Sequence, residues 1–152
     1  MSSDPIPSIL LVGCGRMGSA MLSGWREQGL SRSFAVDPAP RAALAGLPVE
    51  WIRSTLQAAG MSPFADLEPG DFVIVDSSHI LVPGSDVDLA FNDILPRLKP
   101  GVLVHIHDIF LPDAYPAVWA WRGYNEQNAV APLLVGGGWR LLWSSYWAAT
   151  RM

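Results

Sequence analysis

Apolar residues along this chain fall into short unbroken runs separated by stretches of helical spacing, and that alternation predicts the elements. Ser8 to Val12 is an apolar run stopped by Gly13 and reads as a buried parallel strand. From Arg16 to Gln28, Met17, Ala20, Met21, Leu22 and Trp25 recur at roughly helical spacing before Gly29 ends the helix. Ser33 to Val36 is a second strand ending on Asp37-Pro38, where proline disfavours helical geometry at Asp37. Residues 39–45 are Ala-rich and predict a short helix, and Val49 to Ile52 a third strand. Residues 54–70 hold helical pieces broken by Gly60 and Pro63, followed by a buried strand from Asp71 to Asp76. Val87 to Leu98 reads as an amphipathic helix closed by Lys99-Pro100-Gly101, and Val102 to Ile106 as the fifth strand. A Pro-rich loop, a helical stretch near 125–135, three glycines at 136–138 and a last strand near Trp139 to Ser145 complete the chain. Strands alternating with helices predict a single α/β domain over residues 1–152. It is expected to be a three-layer, Rossmann-like open sheet, mainly parallel, with right-handed crossovers.

Composition narrows the partners. Half of the 152 residues are hydrophobic and 16% are charged, which suits a sheet covered on both faces. A net charge of −4 without a basic stripe argues against nucleic acid. No apolar run approaches the ~20 residues that span a bilayer, and Met-Ser-Ser-Asp-Pro does not read as a secretory signal. The lone Cys14 excludes an internal disulfide, fits a cytoplasmic location and reads as a small packed residue. A small-molecule substrate is the expected partner. Trp119, Trp121, Trp139, Trp143 and Trp147 crowd the last third, where an exposed patch would support self-association.

Gly13-Cys14-Gly15-Arg16-Met17-Gly18 fits G-x-G-x-x-G between a strand and a helix, with Asp37 at the end of the next strand. Gly13 permits the turn, Gly15 admits a pyrophosphate, Gly18 lets helix pack on strand, and Asp37 would accept ribose hydroxyls. Residues 8–38, with Leu-Leu-Val-Gly-Cys-Gly-Arg-Met-Gly-Ser-Ala-Met and the following Gly-Trp, resemble the opening of pyrroline-5-carboxylate reductases. That resemblance implies NAD(P)H. It covers about a fifth of the chain, and nothing later matches the helical domain that completes those enzymes.

In a parallel open sheet, ligands lie beyond the carboxyl ends of the strands. Those ends carry Gly13–Gly18, Asp37, Asp76–His79 and His107–Asp108, so acids and histidines converge there and can move protons or bind a divalent cation. His105 points to the same side as His107 and is expected to be a hydrogen-bonded core histidine. His79 can also serve as a loop cap and Asp108 as a tie to backbone N–H groups. Asn125-Glu126-Gln127 is either a helix start facing the site or a solvated cap.

From about Asp37 onward the chain resembles class I S-adenosylmethionine-dependent methyltransferases. The text that carries this is Gly-Leu-Pro-Val-Glu-Trp-Ile-Arg, Asp-Ser-Ser-His, Gly-Ser-Asp-Val-Asp, Leu-Pro-Arg-Leu-Lys-Pro-Gly-Val-Leu-Val-His-Ile-His-Asp-Ile-Phe-Leu-Pro-Asp and Tyr-Asn-Glu-Gln. The resemblance implies S-adenosylmethionine as cofactor, and the leading reading places it on Gly13, Gly15, Gly18, Asp37 and Asp76. It implies catalysis by His79, His107 and Asp108, with either histidine as general base, and Mg²⁺ on Asp76, His107 and Asp108. Where such enzymes carry an acid two places before the first glycine, this chain has Leu11. The two resemblances together read as a composite joined near Asp37-Pro38-Ala39-Pro40. The leading expectation is methyl transfer to a small molecule. The alternatives are an NAD(P)-binding reductase-like module and an inactive chimeric fold.

Overall fold

The computed structural model describes residues 7–30, 32–39 and 49–152; the helix expected over residues 39–45 falls almost wholly outside them. Five parallel strands, β1 (Ile9–Val12), β2 (Ser33–Val36), β3 (Glu50–Ile52), β4 (Phe72–Val75) and β5 (Leu103–Ile106), form one sheet in the order β3-β2-β1-β4-β5. The chain is thus an α/β protein with a Rossmann-like sheet. Strand order reverses between β1 and β4, the point of an open parallel sheet beyond whose carboxyl ends ligands bind.

Strand alternation divides the core into two layers. Leu10, Val12, Val36, Val73 and Val75 face α2 (Leu56–Ala59), the helical run from Asp86 to Arg97 and the inner side of α4 (Gln127–Val135). Leu11, Ala35 and Ile74 point the other way and pack with Leu22, Met21 and Trp25 of α1 (Arg16–Glu27). All four residues of β1 are buried, because this central strand is paired on both edges and covered on both faces.

The Asp86–Arg97 run departs from the uniform helix expected over 87–98. It opens as α3 (Asp86–Leu89) on a Ser85 side-chain cap, widens to π pitch over Ala90–Ile94 and tightens to 3₁₀ pitch over Leu95–Arg97. Pro96 has no N–H to give the ladder, so the run changes pitch and ends there. The last strand expected near Trp139 to Ser145 does not form. Residues 139–144 carry no regular structure, α5 (Ser145–Arg151) follows, and among the described residues β5 pairs only with β4. His105 therefore stands exposed on an edge strand, a correction to its expected place in the core, although its ring does lie beside His107, with centroids 6.0 Å apart. Among the described residues no helix is long and apolar enough to cross a membrane.

Candidate functional site

The site is assembled at the carboxyl ends of β1, β2, β4 and β5. After β1 the chain turns at Gly13 with φ +85°, and a Cβ there would lie 2.0 Å from the Asp76 carbonyl oxygen. Only glycine lets the turn close against the end of β4. A Cβ on Gly18 would meet Leu11 Cδ2 at 2.8 Å, so the third glycine is explained by close packing of α1 on β1. Gly15 differs from both, because open space lies where its Cβ would be. It begins α1 with no side-chain cap and no acid in the first turn, so the helix start presents its N–H groups outward. Cys14 is fully buried and burial pushes its thiol up, in keeping with a packed residue.

Asp37, at the end of β2, binds the chain's own backbone. Its Oδ2 accepts from Cys14 N–H (2.6 Å) and its Oδ1 from Ala39 N–H (2.7 Å). It thereby ties the β2 end to the glycine turn, and each oxygen keeps a lone pair for a further donor.

Beyond β4 and β5 the side chains converge on one imidazole. His79 is 4% exposed and sits at φ +61°; Asp108 sits at φ +55°. Two non-glycine residues in this sparsely populated region mark strain held by the surroundings. His79 Nδ1 lies 2.7 Å from Glu126 Oε2, and its Nε2 lies 3.4 Å from Asp76 Oδ1 and 3.8 Å from Asp108 Oδ2. The Tyr124 ring packs on it with centroids 4.5 Å apart. Burial opposes charge on the ring, but hydrogen bonds to Asp76 and Glu126 and the charges of Glu126 and Asp108 outweigh it. The pKa rises from 6.5 to about 9, and His79 is an imidazolium at neutral pH. It then has no lone pair with which to take a proton. His107 lies at the rim, with Nε2 3.3 Å from Asp108 Oδ1.

This arrangement bears on the expected Mg²⁺ site. Among the described residues no group of three or more His, Cys, Asp or Glu side chains is placed to hold a metal ion. His79 Nε2 lies between the Asp76 and Asp108 carboxylates, 3.4 Å from the first and 3.8 Å from the second.

Reading the chain left Glu126 open between a site-facing helix start and a solvated cap; it is in fact fully buried. Its Oε1 accepts from Ser77 Oγ (3.1 Å) while Oε2 takes His79. Its neighbours complete a clasp over both loops. Asn125 exchanges two side-chain hydrogen bonds with the Leu81 backbone, at 2.5 and 3.1 Å. Gln127 accepts from Phe110 N–H and donates to Asp113 O, each at 3.1 Å. The block Tyr-Asn-Glu-Gln was the available signal; its lack of periodicity concealed the burial.

No curated protein and no solved structure matches the chain. A family model described as a methyltransferase domain matches residues 10–109, a span that opens within β1 and takes in the glycine turn, Asp37, Asp76, His79, His107 and Asp108. With a Rossmann-like sheet whose strand ends gather these groups, the chain belongs to that methyltransferase domain family.

Proposed function

We propose that residues 1–152 act as one domain that binds S-adenosylmethionine across the Gly13–Gly18 turn, Asp37 and Asp76, and promotes methyl transfer to a small-molecule acceptor. The observation that carries this reading is the convergence of three carboxylates, Asp76, Asp108 and Glu126, on a single cation at the carboxyl ends of β4 and β5. Such a surplus of acid favours a ligand carrying positive charge and opposes a pyrophosphate. S-adenosylmethionine supplies a methyl group on a sulfonium cation. The open helix start at Gly15 suits an anionic carboxylate or a ribose edge.

The chain's own residues divide the remaining work. Asp37 holds the turn closed and has acceptor capacity left for ribose hydroxyls. His107, partly exposed and next to Asp108, is placed to take a proton from the acceptor. His79, with Nε2 facing Asp76 and Asp108, is suited to hold those two carboxylates in place. No step requires the Mg²⁺ that the resemblance implied. The buried, unpaired Cys14 accords with a cytoplasmic location.

The second reading is the NAD(P)-binding, reductase-like one. The G-x-G-x-x-G spacing and Leu11 in place of an acid favour it. The packing of Gly18 on buried Leu11 accounts for both features without a dinucleotide. Calorimetric titration with S-adenosylhomocysteine, NADH and NADPH separates the readings. Binding of S-adenosylhomocysteine alone supports methyl transfer, whereas binding of NADH or NADPH alone would sink it.

A further inference from the structure

We infer that Glu126 is a positioning residue: it takes the Nδ1–H of His79 and so fixes the ring with Nε2 turned to the acceptor side of the site. An ionised carboxylate only accepts, so at 2.7 Å the proton between Glu126 Oε2 and His79 belongs to Nδ1. Both acceptor oxygens of Glu126 are committed, one to His79 and one to Ser77, and no part of the residue reaches solvent. The backbone closes the same unit from the other side, because His79 O accepts from the N–H groups of Asn125 (3.1 Å) and Glu126 (3.3 Å). His79 is thus held at its ring and at its carbonyl by one short segment that begins α4, and its φ of +61° is sustained by these contacts. With Nδ1 occupied and Tyr124 against the ring face, Nε2 is left to face Asp76 and Asp108. A fully buried carboxylate is costly, and here its pairing with His79 and the hydrogen bond from Ser77 offset that cost.

The catalytic consequence rests on the methyl-transfer reading, but the orientation does not, and the two fail separately. The chain has three histidines, so ¹⁵N-histidine NMR of the full-length protein resolves each ring, with His79→Gln supplying the assignment. In the wild type the His79 Nδ1–H is expected as a downfield, slowly exchanging proton. Glu126→Gln keeps the shape and a partner for Ser77, and it should shift that proton upfield and speed its exchange. With a methyl acceptor in hand, the variant should lower kcat about tenfold or more, with S-adenosylhomocysteine affinity essentially kept. If the wild type lacks the protected proton, or Glu126→Gln leaves it unchanged, the inference is overturned regardless of turnover. If S-adenosylhomocysteine fails to bind while the proton behaves as expected, the methyl-transfer reading fails and Glu126 still positions His79. Should Glu126→Gln not fold, Ser77→Ala decides. Loosening the far side of Glu126 should accelerate exchange at His79 Nδ1–H, and unchanged exchange would count against the inference.

Discussion

Gly13 and Gly15 are two residues apart, yet a single added methyl group should affect them in opposite ways. Gly13→Ala forces a Cβ into the Asp76 carbonyl oxygen at a φ of +85°, with no flexible side chain to yield. A loss of at least ~2 kcal/mol is expected, visible as a melting point lower by roughly 5 °C or more. Gly15→Ala meets open space at φ −70° and ψ −163°, a backbone any residue adopts. Its melting point should stay put while S-adenosylhomocysteine affinity falls; unchanged affinity would remove the turn from the cofactor site. His79 makes a second prediction at this scale. Its folded pKa of about 9 lies above the 6.5 of the free side chain. The folded state therefore holds the extra proton, and its contribution is complete below pH 6.5 and fades as pH rises through about 9. The difference amounts to on the order of 3 kcal/mol. Denaturant titrations between these pH values should show stability declining, and His79→Gln should flatten that slope. An equally steep slope in the variant would place the titrating group elsewhere.

Among the elements, the segment from Tyr124 to Gln127 holds two loops that no strand pairing joins. Asn125→Ala should raise amide exchange over residues 77–82, and Gln127→Ala should raise it over residues 108–115, each leaving the other loop protected. Equal exchange in both loops for either variant would mean that the clasp acts as one cooperative unit. This segment also marks where sequence reading stopped. The five strands were legible because each is a short, mostly apolar run bounded by turn residues, and Gly13 and Asp37 were legible because turn chemistry demands their types. Glu126 was not, because burial of a lone acid depends on Ser77 and His79, which are distant in sequence. Trp139 to Ser145 has a strand-like pattern, but a pattern sets which side chains share a face and does not supply a partner edge. His105 was misplaced for the same reason, since its burial presupposed a strand beyond β5.

Over the whole molecule, acidic charge gathers at the site and an apolar patch forms near the end of the chain. The net charge of −4 is echoed at the site by Asp76, Asp108 and Glu126 around one imidazolium. A cofactor analogue with a protonated amine in place of the sulfonium should therefore bind more tightly than neutral-sulfur S-adenosylhomocysteine, with the gap narrowing as salt is added. Equal affinities at low salt would remove electrostatics from cofactor choice. One apolar patch lies near the end of the chain. Leu141, Leu142, Trp143, Trp147 and Met152 are all exposed, and with Ser144 and Ala148 they line one shallow groove that contains no charged side chain. Neither core layer includes these residues, so the domain folds without covering them. Side chains this large left in water favour association at ~25 cal/mol per Å² of apolar surface removed. A second copy of the chain presents the same uncharged groove, and we propose that two copies pair through it. Sedimentation velocity over a wide concentration range should show a monomer giving way to a dimer. Trp143→Glu should hold the protein monomeric without lowering its melting point, because α5 stays anchored through Tyr146 to Asp113 and Phe110. A single monomeric species at every concentration would end the proposal, and a Trp143→Glu variant that still dimerises would move the interface to another surface.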